Sequence, residues 1–262
     1  MYNRKIRDIT KDRLLSMEPN KTQHLTTRTI TQVCREGLPN QYLRKYYRFR
    51  YSSQFYGGIV TADVVGCNLR CVYCWSQKTA WYPRKGSWYA ANQVVKALLA
   101  LVKKHKCHRI RISGGEPTLC KEHLLAVLKQ MPDGILFILE TNGILLSDPT
   151  YIQALEAVPH PPYIRISLKA GQSLFSRVTG APIDLYASQL RAIEILQRSS
   201  LKFNVAIMTE FFNSDEISEM EAVISPKKLE IEELILYPFV KEKLKARGFN
   251  KLLENFYKSN LL

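Results

Sequence analysis

Cys67, Cys71 and Cys74 stand in the string CNLRCVYC, a C-x3-C-x2-C spacing that puts three thiols on one short loop. Cysteine thiolate is the usual ligand of iron–sulfur clusters, so this loop can hold three irons of a four-iron cubane. The fourth iron would then lack a protein ligand and could bind something else. Zinc is the plainer alternative, but a structural zinc site takes four protein ligands. No other Cys or His lies within 30 residues of the loop on either side, so zinc would need a remote ligand such as His105 or Cys107. Cys34, Cys107 and Cys120 are scattered. This usage is unlike the disulfide framework of a small secreted protein and favours metal binding. Cys107 reads as a buried apolar residue. Cys120 is either structural or a reactive thiol.

These thiols need a scaffold. From about residue 57 the chain alternates strand-like and helix-like segments, with strands at 58–65, 109–113, 135–140, 163–169, 202–208 and 230–236. Between them, Val94, Leu98, Leu101 and Val102 recur at the spacing of one helix face, as do Leu124, Val127, Leu128 and Met131. Asp148-Pro149 supplies a cap residue followed by proline at the first helical position. Further helices fit 184–199, 214–225 and 241–258. Six βα units in series predict an α/β fold, a partial (β/α)6 TIM-like barrel of parallel strands, since a complete barrel takes eight. The expected organisation is an amino-terminal extension over 1–56, the barrel over 57–240 and a carboxyl-terminal helix within 241–262 that closes the open sheet edge. Segment 42–56 (YLRKYYRFRYSSQFY) interleaves rings and cations. It reads as an amphipathic cover on the barrel, or as a nucleic-acid contact built on stacking and phosphate pairing.

The remaining motifs end strands. The second strand runs into Ser113-Gly114-Gly115-Glu116-Pro117, the third into Glu140-Thr141-Asn142-Gly143 and the fourth into Ser167-Leu168-Lys169. Active sites of α/β barrels gather at the carboxyl ends of strands, so these motifs and the cysteine loop converge on one mouth. Together they resemble the radical S-adenosylmethionine (radical SAM) superfamily over about residues 57–240. CNLRCVYC is similar to its cluster loop, and Gly114-Gly115-Glu116-Pro117 to its GGEP motif. The third and fourth strand ends are similar to the D-T-N-G and D-x-K patterns of pyruvate formate-lyase-activating-enzyme-like members. This sequence departs from those members with Glu140 and Ser167 where they carry Asp, and with no histidine in Leu236-Tyr237-Pro238-Phe239 after the sixth strand.

The resemblance implies a set of roles. Cys67, Cys71 and Cys74 would bind a 4Fe–4S cluster whose open iron takes SAM, with Tyr73 near the adenine. Gly114, Gly115 and Glu116 would line the methionyl group, with Glu140 meeting its ammonium and Asn142 in the same cradle. Lys169 would meet the SAM carboxylate and Ser167 the ribose. Reductive cleavage of SAM to methionine and a 5′-deoxyadenosyl radical, which abstracts hydrogen from an unidentified substrate, would be the activity. The partners implied are a flavodoxin- or ferredoxin-type electron donor and a substrate that is anionic, a protein or an RNA.

Charge and strand parity add to this reading. Residues 1–110 hold 21 Lys+Arg against 5 Asp+Glu, whereas 111–262 hold 17 against 18. Such a field attracts an anionic partner or is simply a solvated basic face. The basic half motivates an alternative within the family, modification of RNA or of a nucleobase-derived precursor. Outside it stand an iron–sulfur electron carrier and a zinc-stabilised binding module, neither of which needs a SAM cradle. Side chains alternate faces along a strand, so Arg165 shares the lumen face with Ser167 and Lys169, and Arg111 shares it with Ser113. These arginines either hold an anionic substrate group or pair with Asp63, Glu116 or Glu140 in a structural network. No stretch approaches the roughly 20 apolar residues of a membrane span, and no apolar segment follows the basic start as in a secretory signal. The expectation is a soluble, cytoplasmic protein.

Overall fold

A computed structural model describes residues 21–39 and 41–259; residues 1–20 of the expected extension and 260–262 lie outside the described residues. The chain opens with α1 (Lys21–Val33), β1 (Cys34–Glu36), β2 (Tyr42–Ser52) and β3 (Ile59–Val64). The cluster-loop region follows, with a single helical turn, α2 (Gln77–Ala80), and then β4 (Ser87–Ala90). Next come α3 (Ala91–His105), β5 (Arg109–Gly114), α4 (Lys121–Leu128), β6 (Leu136–Thr141), α5 (Pro149–Glu156) and β7 (Tyr163–Ser167). The chain continues through α6 (Phe175–Thr179), α7 (Asp184–Gln197), β8 (Phe203–Ile207), α8 (Ser214–Val223) and β9 (Leu229–Ile231). It closes with α9 (Pro238–Ala246) and α10 (Asn250–Ser259).

Six strands, β3-β5-β6-β7-β8-β9, pair in parallel in that order. This is the expected partial barrel. Its apolar exterior is built as the periodicities require. Ile164 and Ile166 of β7 and Leu168 just after it are buried, with Val94 and Leu98 of α3 and Leu124, Val127 and Leu128 of α4 in the same core. Asp148 caps α5 by accepting from the Thr150 amide at 2.9 Å, and Pro149 follows at the first helical position.

Segment 42–56 is mostly a strand, an element that neither reading of its composition had anticipated. β2 runs antiparallel to β3 and carries β1 and β4 on it, extending the sheet to nine strands. A bulge between Tyr46 and Arg48 explains its mixed composition. The extra residue brings Tyr46 and Phe49 to one face, where they pack on Tyr89 and, for Tyr46, on His123. Arg48 and Arg50 face inward and both pair with buried Asp63, at 2.7 and 2.8 Å.

The cysteine reading also changes. Cys34 and Cys120, 86 residues apart, are joined in a disulfide with Cα atoms 5.8 Å apart. Scatter along the sequence gave no hint of this, because only the antiparallel addition of β1 and β2 to the barrel brings the pair together. The single terminal helix is split: Gly248 adopts φ +75, so α9 ends at Ala246 and α10 begins at Asn250. Arg247 and Phe249 in that break turn toward the cluster loop and Phe211. The edge strand β9 keeps Ile231 67% exposed, so the terminal helices do not close it as expected.

Candidate active site

The cysteine loop is held by backbone contacts on both sides. The Arg70 and Val72 amides donate to Thr179 and Val178 at the end of α6, and the Gly66 amide donates to Thr79. Leu69 and Val72 are buried anchors between the cysteines. Arg70 donates to its own loop's carbonyls at Cys67 and Leu69, at 2.7 and 2.8 Å, while Arg247 donates to the Arg70 carbonyl. Cys67, Cys71 and Cys74 are all free thiols. Burial, before any other cause, pushes each of them up to about 12. Metal binding at this loop must therefore displace protons.

The turn after β5 is stitched to the start of that loop. The Gly115 amide donates to Val64 at 2.9 Å and the Glu116 amide to Gly66 at 2.8 Å. A Cβ at Gly115 would lie 2.1 Å from the Gly66 carbonyl oxygen, so only glycine permits this approach. From the opposite side, fully buried Arg44 donates to both Val65 and Glu116 carbonyls, at 2.8 and 3.1 Å, tying the same two loops together. The Glu116 carboxylate accepts from the Thr118 amide, from the Thr118 and Thr141 hydroxyls, and from the Asn142 amide. It thereby bridges the turn after β5 to the strand end of β6. The Asn142 side chain donates to Asn68 beside Cys67, at 2.8 Å.

Inside the barrel the charges are matched. Glu140 accepts from Arg111 at 2.8 Å, from Ser113 at 3.0 Å and from the Tyr56 hydroxyl at 2.8 Å. Burial alone would raise its pKa, but Arg111 and Arg165 outweigh burial and hold it below the usual carboxylate range. Arg165 pairs with Glu230 at 2.7 Å and with Glu232 at 2.8 Å, acids that strand parity had not offered as partners. Lys169 donates to Ser167 at 2.6 Å. The Tyr73 hydroxyl donates to the Lys169 carbonyl at 2.8 Å, with its ring stacked on Phe211.

One cavity of about 190 Å³ is lined by the three cysteines together with Tyr73, Gly114, Gly115, Glu116, Glu140, Asn142, Arg165, Ser167 and Lys169. Of the residues expected at the site, Arg111 alone lies off its wall, beneath Glu140. Among the described residues no three Cys, His, Asp or Glu side chains gather at the spacing of a single ion. Three free thiols on one cavity are the donor type of an iron–sulfur cluster, whereas a structural zinc would take a fourth protein ligand.

The family model of the radical SAM superfamily matches residues 63–223, from the lumen aspartate of β3 to the end of α8. The chain belongs to the radical SAM superfamily. Members of this superfamily use a 4Fe–4S cluster and SAM. Similar proteins include one assigned as a glycyl-radical enzyme activating enzyme in Methanocaldococcus jannaschii, 32% identical over 34% of this chain and 33% of that protein. A GTP 3′,8-cyclase of Peptoclostridium acidaminophilum is 26% identical over 66% of the chain and 53% of its own length. A 7-carboxy-7-deazaguanine synthase of Methanothermobacter thermautotrophicus is 31% identical over 50% of the chain and 53% of its own length. The chain thus spans a third to about half the length of these relatives.

Two residues that sequence reasoning missed bond to side chains and backbone of this cavity's wall. Gln189 of α7 is fully buried, accepts from the Lys169 amide, and donates to the carbonyls of Asn142 and Ser167. It ties the ends of β6 and β7 together. Its signal was present, since a glutamine occupies the buried face of a helix otherwise made of Tyr186, Ala192, Ile193 and Leu196. Tyr56, at φ +54, reaches Glu140 from a loop whose Tyr-Gly-Gly run gives no pattern pointing into a barrel.

Proposed function

We propose that this protein is a radical SAM enzyme in which Cys67, Cys71 and Cys74 hold the cluster and the surrounding strand ends hold SAM. The observation that carries the reading is the convergence of three free thiols and the three other strand-end motifs on one cavity. Held by Cys67, Cys71 and Cys74, a reduced cluster would supply the one electron needed to cleave SAM to methionine and a 5′-deoxyadenosyl radical, which would take a hydrogen atom from substrate. The chain's own residues do the positioning. Gly114 and Gly115 line the cavity where the methionyl group would lie, and their missing side chains let this turn pack against Val64 and Gly66. Lys169, whose ammonium bonds the Ser167 hydroxyl and pairs with no carboxylate among the described residues, is the cation for the SAM carboxylate. Tyr73 offers a ring face beside the cysteines. Glu140 is already bonded to three groups, so the SAM ammonium would have to share it.

The ion pairs support the network reading of Arg111 and Arg165 over direct capture of a substrate anion. The substrate supplies a C–H bond, and the electron donor is of the flavodoxin or ferredoxin type. A glycyl-radical activase and a nucleobase-modifying enzyme are both consistent with these relatives, and the deuterium of labelled substrate appearing in 5′-deoxyadenosine distinguishes them. Anaerobic reconstitution, reduction with dithionite and addition of SAM should give 5′-deoxyadenosine and methionine in equal amounts, absent in Cys71→Ala. Failure to form either product, from a protein with a full cluster and bound SAM, would refute the proposal. Among the described residues no helix is long and apolar enough to cross a membrane.

A further inference from the structure

A second cavity, of about 420 Å³, lies on the outer side of the cluster loop, away from the barrel lumen. Its wall includes the guanidinium-bearing residues Arg28 of α1, Arg70 of the loop and Arg84, with the aromatic residues Trp81 and Tyr82 between them. No acidic side chain is on that wall among the described residues. Neither Arg28 nor Arg84 has a carboxylate partner among the described residues, and Arg70 donates only to backbone carbonyls. Lys243 of α9 adds a fourth cation, 5.5 Å from the centre of the Trp81 ring. The Trp81 indole nitrogen is buried and lacks a hydrogen-bond acceptor.

Each feature asks for something different, and one ligand chemistry answers all of them. Three unneutralised guanidiniums around one void repel each other, and an anion with several oxygens relieves this through forked, charge-assisted bonds. Two aromatic side chains on the same wall suit a flat ring, because stacking against a base is favourable whatever the base. We infer that this cavity is a binding site for a phosphorylated aromatic ligand, a nucleotide unit either free or within a single strand. It is separate from the SAM cavity, and it accounts for part of the basic excess of residues 1–110 that the barrel chemistry leaves unused. α1, which forms one wall, packs Thr29 and Val33 against Gly66 at the head of the cluster loop. An occupied site would therefore brace the loop that carries the cysteines.

The test is equilibrium titration of the reconstituted holoprotein with AMP, inorganic phosphate and a short single-stranded oligoribonucleotide, with SAM saturating so that the barrel mouth is filled. SAM affinity on the same samples reports on the barrel site independently. AMP or the strand should bind saturably and more tightly than inorganic phosphate. Arg28→Gln and Arg84→Gln should each weaken that binding about tenfold or more and leave SAM affinity unchanged. Tighter binding of AMP assigns a free nucleotide; tighter binding of the strand assigns a nucleotide within RNA. The inference is overturned if neither probe binds at millimolar concentration, if phosphate binds as tightly as both, or if the double variant Arg28→Gln/Arg84→Gln binds like the native chain. Both arginines lie on the surface, outside the core and the SAM cavity, so the variants fold.

Discussion

Replacing Gly115 with alanine adds one methyl group, and the surroundings decide what that costs. The new Cβ would sit 2.1 Å from the Gly66 carbonyl oxygen and 2.9 Å from its carbon, both backbone atoms that no rotamer change can move. The turn after β5 must then withdraw from the cluster loop, breaking the Gly115-to-Val64 and Glu116-to-Gly66 hydrogen bonds. Two backbone bonds are worth about 1 kcal/mol each, and overpacking costs about 1–3 kcal/mol more. The expected destabilisation is about 3–5 kcal/mol, a large fraction of a typical domain's stability. Because the distorted contact joins the cysteine loop to the SAM cradle, iron incorporation and SAM affinity should fall with it. Gly134→Ala is the control. That glycine has φ +78 but nothing within 4 Å of its Cβ position, so it should lose only the backbone term of about 1–2 kcal/mol and keep its cluster. Urea unfolding of the metal-free proteins, with iron and sulfide analysis after reconstitution, reads both quantities. Gly115→Ala with native stability, full iron content and native SAM affinity would refute the stitched-loop argument.

Three further outcomes follow from the buried polar groups. His123 donates from Nδ1 to the Tyr42 carbonyl and accepts the Tyr46 hydroxyl at Nε2, and burial lowers its pKa to about 4. Its pKa is depressed on folding, so its contribution is complete above pH ~6.5 and is lost as pH falls toward 4; about 2 kcal/mol should be gone at pH 5, a slope absent in His123→Asn. Arg111→Met leaves the Glu140 carboxylate without its cation and should cost about 3 kcal/mol. Adding Glu140→Gln should recover more than half of that loss, and strictly additive effects in urea unfolding would argue against the pair. Alkylation of the unfolded, unreduced protein should leave Cys34 and Cys120 protected while Cys67, Cys71, Cys74 and Cys107 react, and labelling of all six would contradict the disulfide.

The parallel barrel was legible because each of its strands carries a fully local pattern. Ile164, Ile166 and Leu168 against Arg165, Ser167 and Lys169 reveal both faces of β7 without knowledge of its neighbours. Cys67, Cys71, Cys74 and the Gly114-Gly115-Glu116-Pro117 turn were legible for the same reason, as short strings whose residue types have few uses. What escaped was set by long-range geometry. The Tyr46–Arg48 bulge shifts the face of every later residue in β2, which turned a strand into an apparent surface cover. The Arg165 partners are Glu230 of β9, two strands away, and Glu232 just after it, where parity gives faces but not reach. Cys34 and Cys120 meet only through the antiparallel addition that the bulged strand makes possible. Gln189 was readable in principle, as a polar residue on an apolar helix face.

The account rests on three cysteines presenting an open iron to SAM in one cavity. The most direct measurement is the electron paramagnetic resonance spectrum of the reduced, reconstituted protein, recorded with and without SAM and paired with iron and sulfide analysis. The account predicts about four irons and four sulfides per chain, a spectrum that changes on adding SAM, and no cluster signal from Cys71→Ala. A four-iron protein whose spectrum is indifferent to saturating SAM would contradict it.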